Sequence, residues 1–282
     1  MSATESFDAM LDGAMSDDAI AAFLVTLAER GETAEEIAAA ATAMRARMVR
    51  VTAPANAIDV CGTGGDGSHS LNISTAVAIV IAACEIPVAK HGNRAASSKA
   101  GAADTLEALG LNLDRAAETA EATLADLGIA FLFAQAHHPA LARIAPIRKN
   151  LGRRTIFNLL GPLANPAGVT RQLIGVPRPD LIGTYTTALH LLGCERAMVV
   201  SGEGWLDEIS ISGPTRIKTI GFTLPNDIIT PEDAGIPRHT AEAIRGGDAA
   251  FNSAALRRLL MGEAGAYRDA VLLNAGAALV VR

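Results

Sequence analysis

Residues 57–75, with the sequence AIDVCGTGGDGSHSLNIST, decide the fold that this chain is expected to adopt. The apolar run 57–61 predicts a buried strand, and Ser74 and Thr75 open an apolar helix. Four glycines, at positions 62, 64, 65 and 67, predict a tight loop between the two. Glycine lets backbone N–H groups approach an anion, and the unpaired amides of a helix start attract negative charge. The stretch therefore predicts a phosphate-binding turn, to which Ser70 and Asn72 add further polar groups.

A second stretch, KHGNRAASSK at residues 90–99, strengthens this prediction. A lone glycine-rich turn is weak evidence, and the first one matches neither the Walker nor the dinucleotide-binding pattern. The second stretch follows a predicted strand at 86–90 and brings cations and hydrogen-bond donors to another strand end. Because parallel α/β sheets bind ligands at the carboxyl ends of their strands, the two turns together indicate one anion site.

Composition limits the classes of function that need to be considered. The chain has 282 residues, half of them hydrophobic, and a net charge of −6. No global positive field favours nucleic acid, so an anion site must come from local loops. The three cysteines, Cys61, Cys84 and Cys194, lie in apolar contexts without a Cys-x-x-Cys pair, which predicts buried free thiols. No run resembles a signal peptide or a membrane span, so a cytoplasmic protein is expected.

The order of the patterns predicts an α/β fold with a mostly parallel sheet. Residues 1–52 read as helices, with an apolar stripe at Ile20, Leu24 and Leu27 and a capping box formed by Thr33 and Glu36. From residue 56 apolar strands alternate with helices, which is typical of a parallel sheet. Residues 139–165 break this alternation and read as helical. The predicted strands are 57–61, 86–90, 129–133, 172–176 and 197–200, and the predicted helices between them are 74–84, 99–109, 114–127 and 179–192.

Six motifs along the chain resemble those of the anthranilate phosphoribosyltransferases, a family with the nucleoside phosphorylase class II fold. The motifs are GTGGDGSHSLNIST (62–75), KHGNRAASSKAGAADTLEALG (90–110), HHPALARIAPIRKNLGRRTIFNLLGPLANPA (137–167), LDEIS (206–210), GGD (246–248) and RDAVLLNA (268–275). The resemblance covers nearly the whole chain. It implies a small all-helical domain, residues 1–52 plus about 139–168, that supplies the contact of a homodimer. The larger α/β domain would consist of residues 53–138 plus 169–282.

The resemblance also implies the substrates, anthranilate and phosphoribosyl pyrophosphate, and the cofactor Mg²⁺. Anthranilate would be placed by Gly62, Asn93 and Arg148, and Mg²⁺ by Ser74, Asp207 and Glu208. Adjacent carboxylates on a loop are usually just solvated, but beside a polyphosphate they hold magnesium. Phosphoribosyl pyrophosphate would contact Gly62, Gly65, Asp66, Ser70, Asn72, Ile73, Ser74, Thr75, Lys90, His91, Gly92, Asn93, Arg94, Ala95, Ala96, Ser97, Ser98 and Ala102. His91 has no assigned role, and His137 and His138 are either structural or, for His138, close to the substrate.

The chain departs from the family pattern in two respects. The family commonly reads Lys-Ser-Gly-Ser-Ala-Asp where this chain has KAGAAD at 99–104, so Ala102 lacks a hydroxyl that would donate to phosphate. One lost neutral hydrogen bond costs on the order of 0.5–1.5 kcal/mol, which weakens binding without abolishing it. The chain also ends within the apolar run 270–281, where the family usually has further helices, and its start is short by about one helix. Uncovered apolar surface is therefore expected.

Three rival functions remain open at this point. A pyrimidine nucleoside phosphorylase shares the fold class, but the complete KHGN, RTIFNLLGPL and LDE motifs argue against it. A nucleic-acid-binding relative is opposed by the acidic net charge. A shortened family member with weak or no activity is the third alternative.

Overall fold

A seven-stranded sheet forms the centre of the molecule, in the order β3-β2-β1-β4-β5-β6-β7. The computed structural model describes residues 2–95 and 98–282. The first five strands in this order pair in parallel, and β6 and β7 add antiparallel pairs at one edge. The strands are β1 Ile58–Gly62, β2 Val88–Gly92, β3 Ile129–Phe133, β4 Arg171–Gly175, β5 Arg196–Gly202, β6 Thr215–Ile220 and β7 Ile228–Ile229. This sheet, with the helices below, confirms the predicted fold class.

Twelve α-helices surround the sheet in the described part of the chain. They are α1 Ala3–Leu11, α2 Asp17–Arg30, α3 Ala34–Ala46, α4 Ile73–Ala83, α5 Ala102–Ala108, α6 Leu113–Glu118, α7 Ala120–Leu127, α8 Ala134–His137, α9 Ile144–Leu151, α10 Leu181–Leu191, α11 Ala249–Leu260 and α12 Ala266–Val281. Short 3₁₀ turns, among them Ile156–Asn158 and Pro162–Ala164, connect α9 to β4. None of these helices is long and apolar enough to cross a membrane.

Alternation along the strands divides the interior into two main cores. Successive residues of a strand point to opposite faces of the sheet. Ile174 and Val199 accordingly pack with α1–α3, α9 and α10, whereas Leu173 and Val200 pack with α4 and α12 on the other face. The amino-terminal helices thus share one continuous core with the segment 144–164 and with one face of the sheet.

The predicted helix starts are confirmed in the amino-terminal region. Thr33 accepts a hydrogen bond from the N–H of Glu36, and the Glu36 carboxylate accepts one from the N–H of Thr33, as a capping box requires. Ile20, Leu24 and Leu27 are buried on α2, and Gly31 ends that helix.

The predicted bounds differ from those in the structure by one or two residues for several elements, and for three elements the difference has a local cause. Strand β2 begins at Val88 rather than at residue 86, because Pro87 has no N–H to donate and pairing with β3 starts at Val88. The predicted helix 114–127 is two helices, since the Thr119 hydroxyl bonds back to the carbonyl of Arg115 where α6 ends. The predicted helix 99–109 begins at Ala102, where Asp104 accepts hydrogen bonds from the N–H groups of Ala95 and Gly101.

The three cysteines are free, as predicted, but only one of them is fully buried. Cys61 is buried and Cys194 is half-buried. Cys84 is exposed, because α4 ends at Ala83 and leaves the following residue at the surface.

The carboxyl-terminal helix carries exposed apolar side chains. Leu272, Leu279 and Val280 of α12 are exposed at 45%, 38% and 45% of their surface.

A buried polar junction joins the segment before β4 to the sheet. The side-chain amide of Asn165 donates to the Asp59 carboxylate and to the Ala89 carbonyl, each at 2.8 Å. Asp59 is fully buried in β1 and also accepts from the N–H of His91 at 3.2 Å. Burial raises the pKa of Asp59, and the nearby Lys90 cation and these hydrogen bonds oppose that effect.

We predict that Asn165→Leu lowers the free energy of unfolding by about 2–4 kcal/mol, because it leaves a buried carboxylate without its strongest donor. Urea denaturation monitored by circular dichroism measures the change. Asn150→Leu, at an exposed position of α9, is the matched control and should change stability by less than about 0.5 kcal/mol. Equal stability of the two variants would contradict the role given to Asn165.

Candidate active site

Glycines end three neighbouring strands, and a loop bearing two carboxylates crosses them. Gly62 of β1 pairs with Gly175 of β4, and Gly202 ends the adjacent strand β5. A β-carbon on Gly175 would overlap the carbonyl oxygen of Asp207, and one on Gly62 would overlap its carboxylate. A β-carbon on Gly202 would lie 2.5 Å from the Glu208 carbonyl oxygen. The segment Asp207–Glu208 therefore lies across the carboxyl ends of the strands only because these positions carry no side chain.

The glycine-rich loop after β1 closes over this acidic segment. Gly64, Gly65 and Gly67 have φ values of 73°, 75° and 71°, in the left-handed region that favours glycine. The turn brings the N–H of Gly64 within 2.7 Å of Asp207 Oδ2, to which it donates. The N–H of Thr63 donates to the Gly175 carbonyl at 2.9 Å, which fixes the loop to β4. The structure thus joins the predicted phosphate loop to the predicted metal ligands.

Electrostatic repulsion is concentrated at the same point. Burial raises the pKa of Asp207 well above its ordinary value, and the neighbouring Asp66 and Glu208 raise it further. Burial also raises the pKa of Glu208 to about 7, although Lys90 and a hydrogen bond from the N–H of Ser74 at 3.1 Å oppose the effect. Asp66 Oδ2 is buried without a hydrogen-bond partner among the described residues. Carboxylates that are at least half-buried and repel one another, one of them with an unsatisfied oxygen, fit a divalent cation.

This cation site is incomplete as a cage of protein ligands. Within residues 2–95 and 98–282, no three His, Cys, Asp or Glu side chains form a preformed metal-binding group. Mg²⁺ is ordinarily bound by one or two carboxylates together with water and substrate phosphates. Asp207, Glu208 and Ser74 would suit that mode of binding, in which phosphate oxygens of a bound substrate would supply further ligands.

The second predicted loop contributes buried groups as well as exposed ones. Lys90 and His91 lie within β2 and are buried, at 3% and 5% exposure, instead of in the turn that follows the strand. Lys90 attracts both Asp59 and Glu208, so it places a positive charge beneath the acidic segment. Asn93 and Arg94 are exposed after the strand. Ala96 and Ser97 lie outside the described residues.

Two of the residues predicted to contact phosphate have side chains engaged within the protein. Arg94 forms ion pairs with Asp104 at 3.0 Å and Glu107 at 2.7 Å. The Asn72 side-chain oxygen accepts from Thr105 Oγ1 at 2.6 Å and from Asn252 Nδ2 at 2.9 Å. Asn72 therefore links the start of α4 to α5 and α11.

The remaining residues predicted to contact phosphate lie in or near the two loops. Thr75 Oγ1 is buried and has no partner among the described residues, and Ser70 forms an isolated β-bridge with Arg245. Ala102 begins α5, where its β-carbon would lie 3.2 Å from one placed on Gly92. Gly65, Asp66, Ile73 and Ser74 belong to the loop and helix start already described, and Ala95 and Ser98 lie within the second loop.

An arginine and two histidines lie along the segment 156–164. The Arg148 guanidinium lies over the Phe157 ring at 5.3 Å from its centroid. It makes no ion pair with a described residue, and burial lowers its pKa. His91 Nδ1 lies 2.9 Å from the Gly161 carbonyl, and the His91 and His138 rings are 5.2 Å apart. A half-buried arginine without an acidic partner is suited to bind a carboxylate ligand.

Burial keeps both of these histidines neutral. It lowers the pKa of His91 to about 3 and that of His138 to about 4. Because a carbonyl only accepts, His91 Nδ1 carries the proton, and the buried Nε2 is an acceptor without a partner among the described residues. His137 differs, since its Nδ1 bonds to the Val49 carbonyl at 3.0 Å and ties α8 to the amino-terminal region.

Sequence reasoning missed the polar residues that support the site from behind. Asn252 and Tyr267 donate hydrogen bonds to Asn72. Asn274 forms hydrogen bonds with the backbone of Ile209, the residue after Glu208. Their only signal in the sequence was their position in or near the GGD and RDAVLLNA motifs. Neither motif identifies a partner for these side chains.

We predict that Gly175→Ala lowers the free energy of unfolding by about 1–3 kcal/mol or more, because the new methyl group displaces the backbone of Asp207. Gly183→Ala is the matched control, since no atom lies within 4 Å of its β-carbon position in α10. Alanine there should stabilise the helix by about 0.5–1 kcal/mol. Urea denaturation of both variants tests the prediction, and unchanged stability of Gly175→Ala would contradict the crossing of β4 by the acidic segment.

Comparison with known proteins identifies the family. Residues 54–282 match the family model described as "Glycosyl transferase family, a/b domain", and residues 2–48 match "Glycosyl transferase family, helical bundle domain". The anthranilate phosphoribosyltransferase of Novosphingobium aromaticivorans is 64% identical over 280 residues, which cover 99% of this chain and 85% of the relative.

Solved structures give the same result. The crystal structure of anthranilate phosphoribosyltransferase from Thermus thermophilus superposes with a TM-score of 0.91 at 44% identity, covering 99% of this chain and 84% of that one. The enzyme from Saccharomyces cerevisiae, in complex with phosphoribosyl pyrophosphate and Mg, has a TM-score of 0.88 at 28% identity, with the same coverage. By its sequence and its fold, this chain belongs to the anthranilate phosphoribosyltransferase family.

Proposed function

We propose that this protein transfers the 5-phosphoribosyl group of phosphoribosyl pyrophosphate to the amine of anthranilate. The products are N-(5-phosphoribosyl)anthranilate and pyrophosphate, and the reaction belongs to tryptophan biosynthesis. The observation that carries the proposal is the acidic segment Asp207–Glu208 held against the glycine loop, with Gly64 bonded to Asp207 and Ser74 bonded to Glu208. This arrangement would hold a divalent cation beside a phosphate-binding turn, as a pyrophosphate leaving group requires.

The buried acids support Mg²⁺ as the cofactor. Asp207, Glu208 and Ser74 would hold it, and the unsatisfied Asp66 Oδ2 lies beside them. When bound, the ion neutralises charge on the pyrophosphate oxygens. The relative from Saccharomyces cerevisiae was solved with phosphoribosyl pyrophosphate and Mg, which supports the same assignment.

The rest of the mechanism requires binding and orientation rather than an acid or base. The reaction breaks the bond between ribose C1 and pyrophosphate, so positive charge develops on the sugar and negative charge on the leaving group. The glycine loop and the start of α4 would hold the phosphates and ribose through backbone N–H groups and the hydroxyls of Ser70, Ser74 and Thr75. The aromatic amine of anthranilate is uncharged at neutral pH and needs no strong base. Its attack in line with the leaving group then depends on placement.

Arg148 supplies that placement on the anthranilate side. Its guanidinium would bind the anthranilate carboxylate, since it is half-buried and has no acidic partner among the described residues. Gly62 and Asn93 would complete the contact surface, as the family resemblance implies. The neutral His91 offers an acceptor at Nε2 that suits an N–H of the amine.

The domain organisation and the assembly are part of this proposal. We propose a small helical domain, residues 1–52 with about 139–168, facing an α/β domain of residues 53–138 and 169–282. The helical domain would form the contact of a homodimer. Three free thiols, one of them exposed, support a reducing compartment, so we propose that the protein is cytoplasmic.

Loss of anthranilate fluorescence tests the proposed function. With the purified protein, anthranilate fluorescence should decrease only when phosphoribosyl pyrophosphate and Mg²⁺ are both present. Removal of Mg²⁺ with a chelator should stop the decrease. Folded protein that leaves anthranilate unchanged would refute the transferase. Phosphorolysis of a pyrimidine nucleoside by the same sample would instead support the nucleoside phosphorylase alternative.

We predict that Arg148→Ala raises the KM for anthranilate roughly 10- to 100-fold, because a charge-assisted bidentate contact is lost. The KM for phosphoribosyl pyrophosphate should change less than about twofold. Arg153→Ala is the control, since Arg153 is paired with Glu29 at 3.1 Å on the surface. Steady-state kinetics with each substrate varied in turn separates the two effects. An equal loss for both substrates would contradict the assignment of Arg148.

A further inference from the structure

A fully buried asparagine of α12 forms hydrogen bonds with the backbone beside the acidic segment. Asn274 Oδ1 accepts from the N–H of Ile209 at 2.9 Å, and Nδ2 donates to the carbonyl of the same residue at 3.0 Å. Nδ2 also donates to the Ala270 carbonyl one turn back along α12, at 2.9 Å. The amide thus pairs with Ile209 as a neighbouring strand would, and both of its donor hydrogens are used.

Ile209 directly follows Glu208, so this pairing fixes one end of the segment that bears the acids. The other end is fixed where the N–H of Gly202 donates to the Leu206 carbonyl at 2.8 Å. After Ile209, the N–H of Ser210 donates to Thr215 Oγ1 at 2.9 Å. Asp207 and Glu208 therefore lie between two anchored positions, and Asn274 is the only anchor among these that comes from a helix.

The hydrogen bonds between Asn274 and Ile209 matter because the neighbouring segment Asp207–Glu208 is closely packed and has little room to shift. Backbone atoms of Asp207 and Glu208 occupy the space where side chains of Gly175 and Gly202 would be. On the opposite side their carboxylates accept from Gly64 and Ser74, at 2.7 and 3.1 Å. A shift of the backbone at Ile209 would move both carboxylates relative to the glycine loop and to the start of α4.

We propose that Asn274 is a positioning residue for Mg²⁺ and pyrophosphate, acting by holding the backbone of Ile209 so that Asp207 and Glu208 face the glycine loop. The inference rests on the proposed function, since it takes these two carboxylates as metal ligands. It goes beyond that proposal because it assigns part of the metal affinity to a helix 65 residues away in sequence. Residues that orient metal ligands from behind typically account for a 10- to 100-fold difference in metal affinity.

Asn274→Leu tests the inference, because leucine has a similar volume and makes no hydrogen bond to Ile209. Calorimetric titration with pyrophosphate, with and without Mg²⁺, gives the gain in pyrophosphate affinity that the metal provides. In Asn274→Leu this gain should fall about tenfold or more. The half-saturating Mg²⁺ concentration in the transferase assay should rise by a similar factor, while the KM for anthranilate changes less than about twofold.

Val271→Ala is the matched control for simple destabilisation. Val271 is buried in the same helix at 2% exposure, and its truncation removes apolar packing without touching the hydrogen bonds of Asn274. It should keep the metal-dependent gain. If Asn274→Leu does not fold, Asn274→Ser, which leaves room for a bridging water, is measured in its place with the same expected direction.

The outcomes separate the inference from the function on which it rests. A normal metal-dependent gain in the Asn274 variant would overturn the inference alone. Parallel losses in the Asn274 and Val271 variants would also overturn it, because they would report general loosening of α12. A wild-type protein whose pyrophosphate affinity does not respond to Mg²⁺ would overturn the metal assignment of Asp207 and Glu208, and the inference with it.

Discussion

The candidate site depends on the close approach of the segment Asp207–Glu208 to the glycines that end strands β1, β4 and β5. Gly62, Gly175 and Gly202 leave room that the chain at Asp207 and Glu208 fills. This crossing puts two carboxylates against the N–H groups of the glycine loop and of α4. Any side chain at Gly175 would have to share space with a carbonyl oxygen, which a close-packed interior does not permit. The glycines therefore set the position of the acids as directly as the loop would set the position of a bound phosphate.

An acidic protein that binds a highly charged anion must control charge locally. The chain carries a net charge of −6, yet Lys90 is buried beneath the acidic segment and attracts both Asp59 and Glu208. The carboxylates above it repel one another, so a cation bound between them would stabilise them where the protein alone does not. In the proposed reaction the metal and the pyrophosphate would bring opposite charges to the same place. The arrangement thus favours binding of the two together over binding of either one.

Sequence patterns predicted the parts of this structure that depend on local physics. The strand, glycine loop and helix at 58–83 follow from apolar runs and turn residues, and the capping box at Thr33 follows from its own side chains. The bounds of β2 were wrong because a proline and pairing with β3 decide where that strand begins. The support from Asn274 had no local signal, since its partner Ile209 lies 65 residues earlier in the chain. Burial of Glu208 was likewise invisible, because the three glycines that permit it are on different strands.

The segment 156–165 couples the two sides of the proposed reaction. Phe157 lies beneath the arginine that would bind anthranilate, and the Gly161 carbonyl fixes the tautomer of His91. Asn165 then bonds to Asp59 on β1, the strand that leads into the glycine loop. One short stretch of chain therefore contacts three groups of the proposed site. They are His91, proposed to accept from the anthranilate amine, Arg148, proposed to bind its carboxylate, and Asp59 on the strand that leads into the phosphate loop. Because the same stretch packs into the core of the amino-terminal helices, a displacement of those helices would move the anthranilate contacts relative to the sheet. In-line attack in the proposed reaction depends on that relative position, so the helical region would contribute to the chemistry through the geometry it imposes on this segment.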